Sequence, residues 1–123
     1  MIIDCHGHYT TAPKALEDWR NRQVAALGNP ADMPKVADLV ISDDDLRETI
    51  EKNQLKKMRE RGSDLTIFSP RASFMAHHIG DFAVSATWAS ICNELIHRVT
   101  ELFPDQFAGC LLYTSDAADE GLG

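Results

Sequence analysis

The chain opens on a short apolar run, Met1-Ile2-Ile3, that gives way at once to Asp4-Cys5-His6-Gly7-His8. A brief apolar run with polar bounds predicts a buried strand over residues 1–5. Residues 9–42 show no clean period. Pro13, Gly28, Pro30 and Pro34 punctuate them, and a short helix is expected around Ala15 to Leu27. A stretch this long between strand and helix is usually functional, or covers a site. Ser42-Asp43-Asp44-Asp45 then reads as a helix start, with Ser42 as N-cap and acids at the positive end of the dipole. Leu46, Ile50, Leu55 and Met58 make its loose apolar stripe, and Gly62 is its stop. The charged residues from Glu51 to Arg61 read as a solvated face, since acids and bases are interleaved.

Asp64-Leu65-Thr66-Ile67-Phe68-Ser69 predicts a second strand, and Pro70 to Phe82 a loop. Trp88, Ile91, Cys92, Leu95, Ile96, Val99 and Leu102 recur at helical spacing and predict an amphipathic helix closed by Pro104. Gln106 to Gly109 begins a third strand. The order strand, helix, strand, helix, strand predicts a parallel α/β fold. The ends of the first two strands would then open onto one face, where sites in such folds are built.

That placement makes the two histidines the leading candidates for chemistry. In an extended segment, residues two apart share a face, so His6 and His8 can reach one point. Two convergent neutral imidazoles are half of a zinc or similar divalent site. Gly7 lacks a Cβ and is expected to let the backbone approach a bound ion closely. The competing reading is a pair of surface or satisfied core histidines. Asp4 is placed to orient a ligating histidine. Cys5 is expected to be buried packing, and Trp19 and Trp88 core.

The loop after the second strand is the other chemical segment: Ser69-Pro70-Arg71-Ala72-Ser73-Phe74-Met75-Ala76-His77-His78. Arg71 can bind a carboxylate bidentately, and Ser69 and Ser73 can donate to the same anion. His77 and His78 are candidates for proton transfer. Adjacent side chains diverge on an extended backbone, so one of them at most is expected to face a pocket. His97, off the long helix's apolar stripe, is expected to be structural or exposed.

Composition narrows the partners. Formal net charge is −7, and 44% of residues are hydrophobic. This gives no basic footprint for nucleic acid. No apolar stretch reaches the roughly 18 residues a membrane span needs. Three cysteines without paired spacing, and a start without a leader-like pattern, lead to the expectation of a reducing, cytoplasmic setting. The closing segment Cys110-Leu111-Leu112-Tyr113-Thr114-Ser115-Asp116-Ala117-Ala118-Asp119-Glu120 is similar to a translated transposase sequencing adapter. Residues 110–123 are therefore expected to be a non-native tail, and residues 1–109 the native part. The alternative is a genuine strand from Cys110 to Tyr113 followed by an acidic tail.

Residues 1–109 resemble the amidohydrolase superfamily in its decarboxylase-like branch. The likeness is carried by the His6-Gly7-His8-Tyr9-Thr10-Thr11-Ala12-Pro13-Lys14-Ala15-Leu16 start, by Asn53-Gln54-Leu55-Lys56-Lys57-Met58, and by Ser69 through Asp81. The resemblance implies a distorted (β/α)8, TIM-like barrel with one zinc, of which this chain supplies about two βα units and the start of strand three. His6 and His8 match the first two zinc ligands, and the Arg71 loop matches a carboxylate-binding segment. The runs are most similar to hydratases (hydro-lyases) that add water to a carbon–carbon double bond of an unsaturated keto tricarboxylate. Those enzymes act in the 4,5-cleavage catabolism of protocatechuate and gallate. A decarboxylase or hydrolase of a small carboxylic acid, or a non-catalytic metal-binding fragment, are the alternatives. The family's later histidine and acidic ligands are missing here, so the chain by itself is expected to be inactive and not stable alone. A full-length form is expected to be a homo-oligomer.

Overall fold

The computed structural model describes residues 1–9 and 11–111. Three strands form one sheet in the order β1-β2-β3, all parallel: β1 Ile3–His8, β2 Leu65–Ser69 and β3 Phe107–Gly109. The helices α1 (Lys14–Ala25), α2 (Asp43–Ile50), α3 (Lys56–Arg61) and α5 (Phe82–Leu102) follow the expected alternation, and a short helix α4 (Ala72–Met75) forms within the segment expected to be a loop. Two 3-10 turns, Pro30–Asp32 and Val36–Asp38, interrupt the long segment after α1. Most of the 110–123 segment lies outside the described residues. At its start, the Cys110 N–H donates to the Phe68 carbonyl at 2.8 Å, continuing the ladder one step past Gly109.

Hydrophobic burial explains the layering. Phe68, Phe107, Trp88, Leu46, Ile50, Ile96 and Val99 are buried between the helices and one face of the sheet. On α5 the periodic residues face this core, and Trp88 stacks on Trp19 at 6.1 Å between ring centroids. Both tryptophans are core, as the pattern predicts. α5 begins six residues earlier than its apolar stripe, because Asp81 caps it by accepting from the Val84 N–H at 3.1 Å. Ser42 likewise accepts from the Asp45 N–H at 3.1 Å, and Gly62 ends α3 in the left-handed region at φ 69°.

Three expectations change. First, β1 does not stop before the histidines: the ladder runs on through Gly7↔Phe68 and His8↔Ser69. A register shift lies between Asp4 and Gly7, and the Asp4 carboxylate accepts from the His6 N–H there at 3.0 Å. An irregularity of this kind re-aims side chains next to it. Second, the helix expected over 42–62 carries a π turn at Glu51–Leu55. The Asn53 side-chain amide donates to the Thr49 carbonyl at 2.8 Å, the acceptor its own N–H takes in a regular α-helix. Third, Cys5 is exposed rather than buried. Helices cover one face of the sheet; on the other, Ile3 is 51% exposed and Leu65 and Ile67 are half-buried.

Candidate metal and substrate site

His6 and His8 stand on the open face of β1, and their Nε2 atoms are 3.0 Å apart. The rings meet edge-on at 82° with centroids 4.5 Å apart. Two ligands roughly 2.0–2.1 Å from one tetrahedral zinc lie about 3.3 Å apart. The observed separation is close to that, so this donor pair fits half of a zinc site. Among the described residues, no group of three or more His, Cys, Asp or Glu is placed to hold a metal ion.

Gly7 contributes differently from expectation. Its missing side chain faces away from the histidines, toward the covered side of the sheet. A Cβ there would overlap Thr66 Cγ2 and lie 3.2 Å from the Ile67 carbonyl oxygen and 3.6 Å from Phe68 Cδ2. Glycine at this position serves strand packing, not approach to an ion. The reason is the pleat itself: if residues 6 and 8 share a face, residue 7 points to the other.

Around His8 the polar groups are closely tied. His8 Nδ1 lies 3.1 Å from Ser69 Oγ, and Ser69 Oγ donates to the Gly7 carbonyl at 3.3 Å. Gln54, carried by the π turn, donates through Nε2 to the His8 carbonyl at 3.1 Å. Tyr9 is buried, and its hydroxyl pairs with Thr49. Burial pushes the Tyr9 phenol up to about 12, against the opposing effects of the Thr49 hydrogen bond and the Arg98 charge. A cavity of about 210 Å³ touches His6 and His8 and is bounded on its far side by Asn53, Gln54, Lys57 and Arg61. The sequence pattern alone reads Lys57 and Arg61 as part of a solvated face.

The β2 loop lies beside this pair. Arg71 is exposed and borders a second cavity of about 350 Å³ with Tyr9, Glu17, Phe74 and Cys92. The described residues therefore bring Ser69 against His8, while Arg71 opens onto a neighbouring cavity. Ser73, His77 and His78 are exposed. Three buried or half-buried side chains hold the loop backbone. Trp88 Nε1 donates to the Phe74 carbonyl, Arg20 Nη2 to the Met75 carbonyl and Ser85 Oγ to the His77 carbonyl, each at 3.2 Å. Between them Ala76 takes a left-handed φ of 44°, a conformation a non-glycine residue keeps only when its surroundings impose it.

Arg20 is a support of the β2 loop that patterning misses. It is 4% exposed, donates to Gln23 Oε1 at 2.6 Å, and lies 5.0 Å from the centre of the Trp88 ring. Its polar partners are an amide and a carbonyl, not an acid, and burial lowers its pKa. His97 is exposed and pairs with Glu101 at 3.1 Å, as expected for a residue without a site role. No helix among the described residues is long and apolar enough to cross a membrane.

Comparison with known proteins agrees with this architecture. The amidohydrolase family model matches residues 3–114. The chain is 58% identical, over 122 residues, to 2-keto-4-carboxy-3-hexenedioate hydratase of Sphingobium sp. (strain NBRC 103272 / SYK-6), covering 97% of this chain and 35% of that protein. It is 68% identical to the crystal structure of 4-oxalomesaconate hydratase from Rhodopseudomonas palustris, with a TM-score of 0.85, covering 91% of this chain and 33% of that one. The chain thus spans about a third of the length of these relatives. With its parallel strands, its family match and its superposition on a solved hydratase, the chain belongs to the amidohydrolase family.

Proposed function

We propose that this chain is the N-terminal part of a zinc-dependent hydratase built on a (β/α)8 barrel. The supporting observation is the convergence of His6 and His8 at 3.0 Å beside the β2 loop, in a chain similar to two hydratases. The substrate in this reading is an unsaturated keto tricarboxylate of the 4-oxalomesaconate type, hydrated across its carbon–carbon double bond in protocatechuate and gallate 4,5-cleavage catabolism. His6 and His8 hold the metal, with the remaining ligands supplied by later strands. Zinc, when bound, supplies Lewis acidity to the site. Arg71 and Ser73 bind a substrate carboxylate, Ser69 stands at the loop's root against His8, and His77 or His78 carries a proton. The cationic side chain of Arg71 suits a carboxylate in two-pronged geometry. In the same reading residues 1–109 belong to the barrel and residues 110–123 are a foreign tail. The full-length enzyme is a cytoplasmic homo-oligomer acting on a small carboxylate, without nucleic acid or membrane.

The test uses the full-length protein. Purified with zinc, it is expected to hydrate 4-oxalomesaconate, with loss of the conjugated chromophore. His6→Ala is expected to abolish both turnover and stoichiometric zinc. Release of carbon dioxide in place of a hydrated product would shift the assignment to a decarboxylase. Zinc retention without turnover on any such acid would leave a metal-binding protein only.

A further inference from the structure

We infer that Ser69 is a positioning residue for His8: its hydroxyl holds the Nδ1–H tautomer, leaving the Nε2 lone pair free toward His6. The argument rests on hydrogen-bond bookkeeping. The Gly7 carbonyl can only accept, and Ser69 Oγ lies 3.3 Å from it. A serine hydroxyl carries one proton, and that proton is used there. Toward His8 Nδ1, 3.1 Å away, the same oxygen must then accept. His8 is consequently protonated on Nδ1 and bare on Nε2. The bare nitrogen faces His6 Nε2 at 3.0 Å, where it accepts the His6 proton in the metal-free chain and is free to ligate a metal in the loaded one.

The fold fixes both ends of this relay. His8 and Ser69 are register partners across β1 and β2, so they share a face without either side chain reaching. The Tyr9 N–H donates to the Ser69 carbonyl at 3.3 Å, and Gln54 holds the His8 carbonyl at 3.1 Å. A histidine whose second nitrogen is held in this way keeps one ring orientation and one tautomer. This inference depends on the proposed ligand role of His6 and His8 for its purpose, though not for its geometry.

The experiment is nitrogen-15 NMR of histidine side chains in the full-length protein, first stripped of metal, with His8 assigned through His8→Gln. Zinc affinity is then measured by titration of zinc alone. In the parent, His8 is expected to show a pyrrole-type Nδ1 and a pyridine-type Nε2. Ser69→Ala is expected to turn this into a tautomer mixture and to weaken zinc by about 10- to 100-fold, with Ser69→Thr restoring both. A proton on His8 Nε2 in the parent overturns the inference. So does an unchanged tautomer in a folded Ser69→Ala variant, with folding checked by circular dichroism. If the tautomer follows Ser69 but the parent binds no zinc, the hydrogen-bond assignment stands and the metal reading of the site fails.

Discussion

Gly7→Ala separates two reasons for a glycine between the histidines. The new Cβ would overlap Thr66 Cγ2 and sit 3.2 Å from the Ile67 carbonyl oxygen. Thr66 is 4% exposed and Phe68 is fully buried, so neither has solvent to retreat into. Overpacking of this kind costs about 1–3 kcal/mol. Thr66→Ser removes the one methyl in conflict and keeps the hydroxyl, at a cost of about 1 kcal/mol for the lost group and the space it leaves. In the double variant the alanine methyl occupies that space. The pair is expected to be about 1–2 kcal/mol more stable than the sum of the single effects. A residual loss should remain, because the Ile67 carbonyl is backbone and does not yield. The four proteins are compared by urea unfolding in the full-length context, and zinc is titrated into each. Zinc affinity is expected to stay within about threefold of the parent in Gly7→Ala, because the methyl lies on the opposite face from His6 and His8. Additive single effects would refute the packing argument. A large loss of zinc affinity that Thr66→Ser does not rescue would mean that the glycine serves the ion.

Four further outcomes follow from the same structure. The 123-residue chain alone is expected to show no cooperative thermal transition, since Ile2 and Ile3 are more than half exposed and open strand edges invite association; a sharp reversible transition by calorimetry would contradict this. Arg20→Met in the full-length protein should cost about 1–3 kcal/mol by leaving the Gln23 and Met75 oxygens without a donor, and hydrogen exchange should accelerate over residues 72–80 rather than throughout. Burial pushes the Cys92 thiol from its ordinary 9.0 up to about 12, with the Arg20 charge opposing, so its proton is held more tightly folded than unfolded. That contribution is complete below pH 9 and is lost as pH rises toward 12; the urea midpoint should fall over this window, and less steeply in Cys92→Ala. Exposed Cys5 should react with a thiol reagent at pH 8 while Cys92 reacts only on unfolding.

The three strands and long helices, the periodic core face of α5 and the pairing of His6 with His8 are legible in the residue spacing, because each depends on spacing within one element. Trp88 through Leu102 repeats at helical intervals whatever it packs against, and residues 6 and 8 share a face in any strand. The alternation logic even contained the answer for Gly7, which must point away from both histidines. What stands on the other side is fixed by contacts between segments. The register of β1 against β2 puts Ser69 beside His8 and Thr66 where a Gly7 side chain would go, and neither partner lies near these residues in the chain. Burial of Arg20 was equally invisible: within α1 it reads as one charge among several, and only the arrival of Trp88 and the Met75 carbonyl from distant segments takes it out of water. The π turn at Glu51–Leu55 lies between these cases: the Asn53 amide takes the Thr49 carbonyl one turn away, while the His8 carbonyl that Gln54 meets comes from a distant strand. Local periodicity is written in the spacing of residues. Register, burial of a lone charge and the identity of a hydrogen-bond partner are fixed by contacts between segments, and so appear only when the chain is folded.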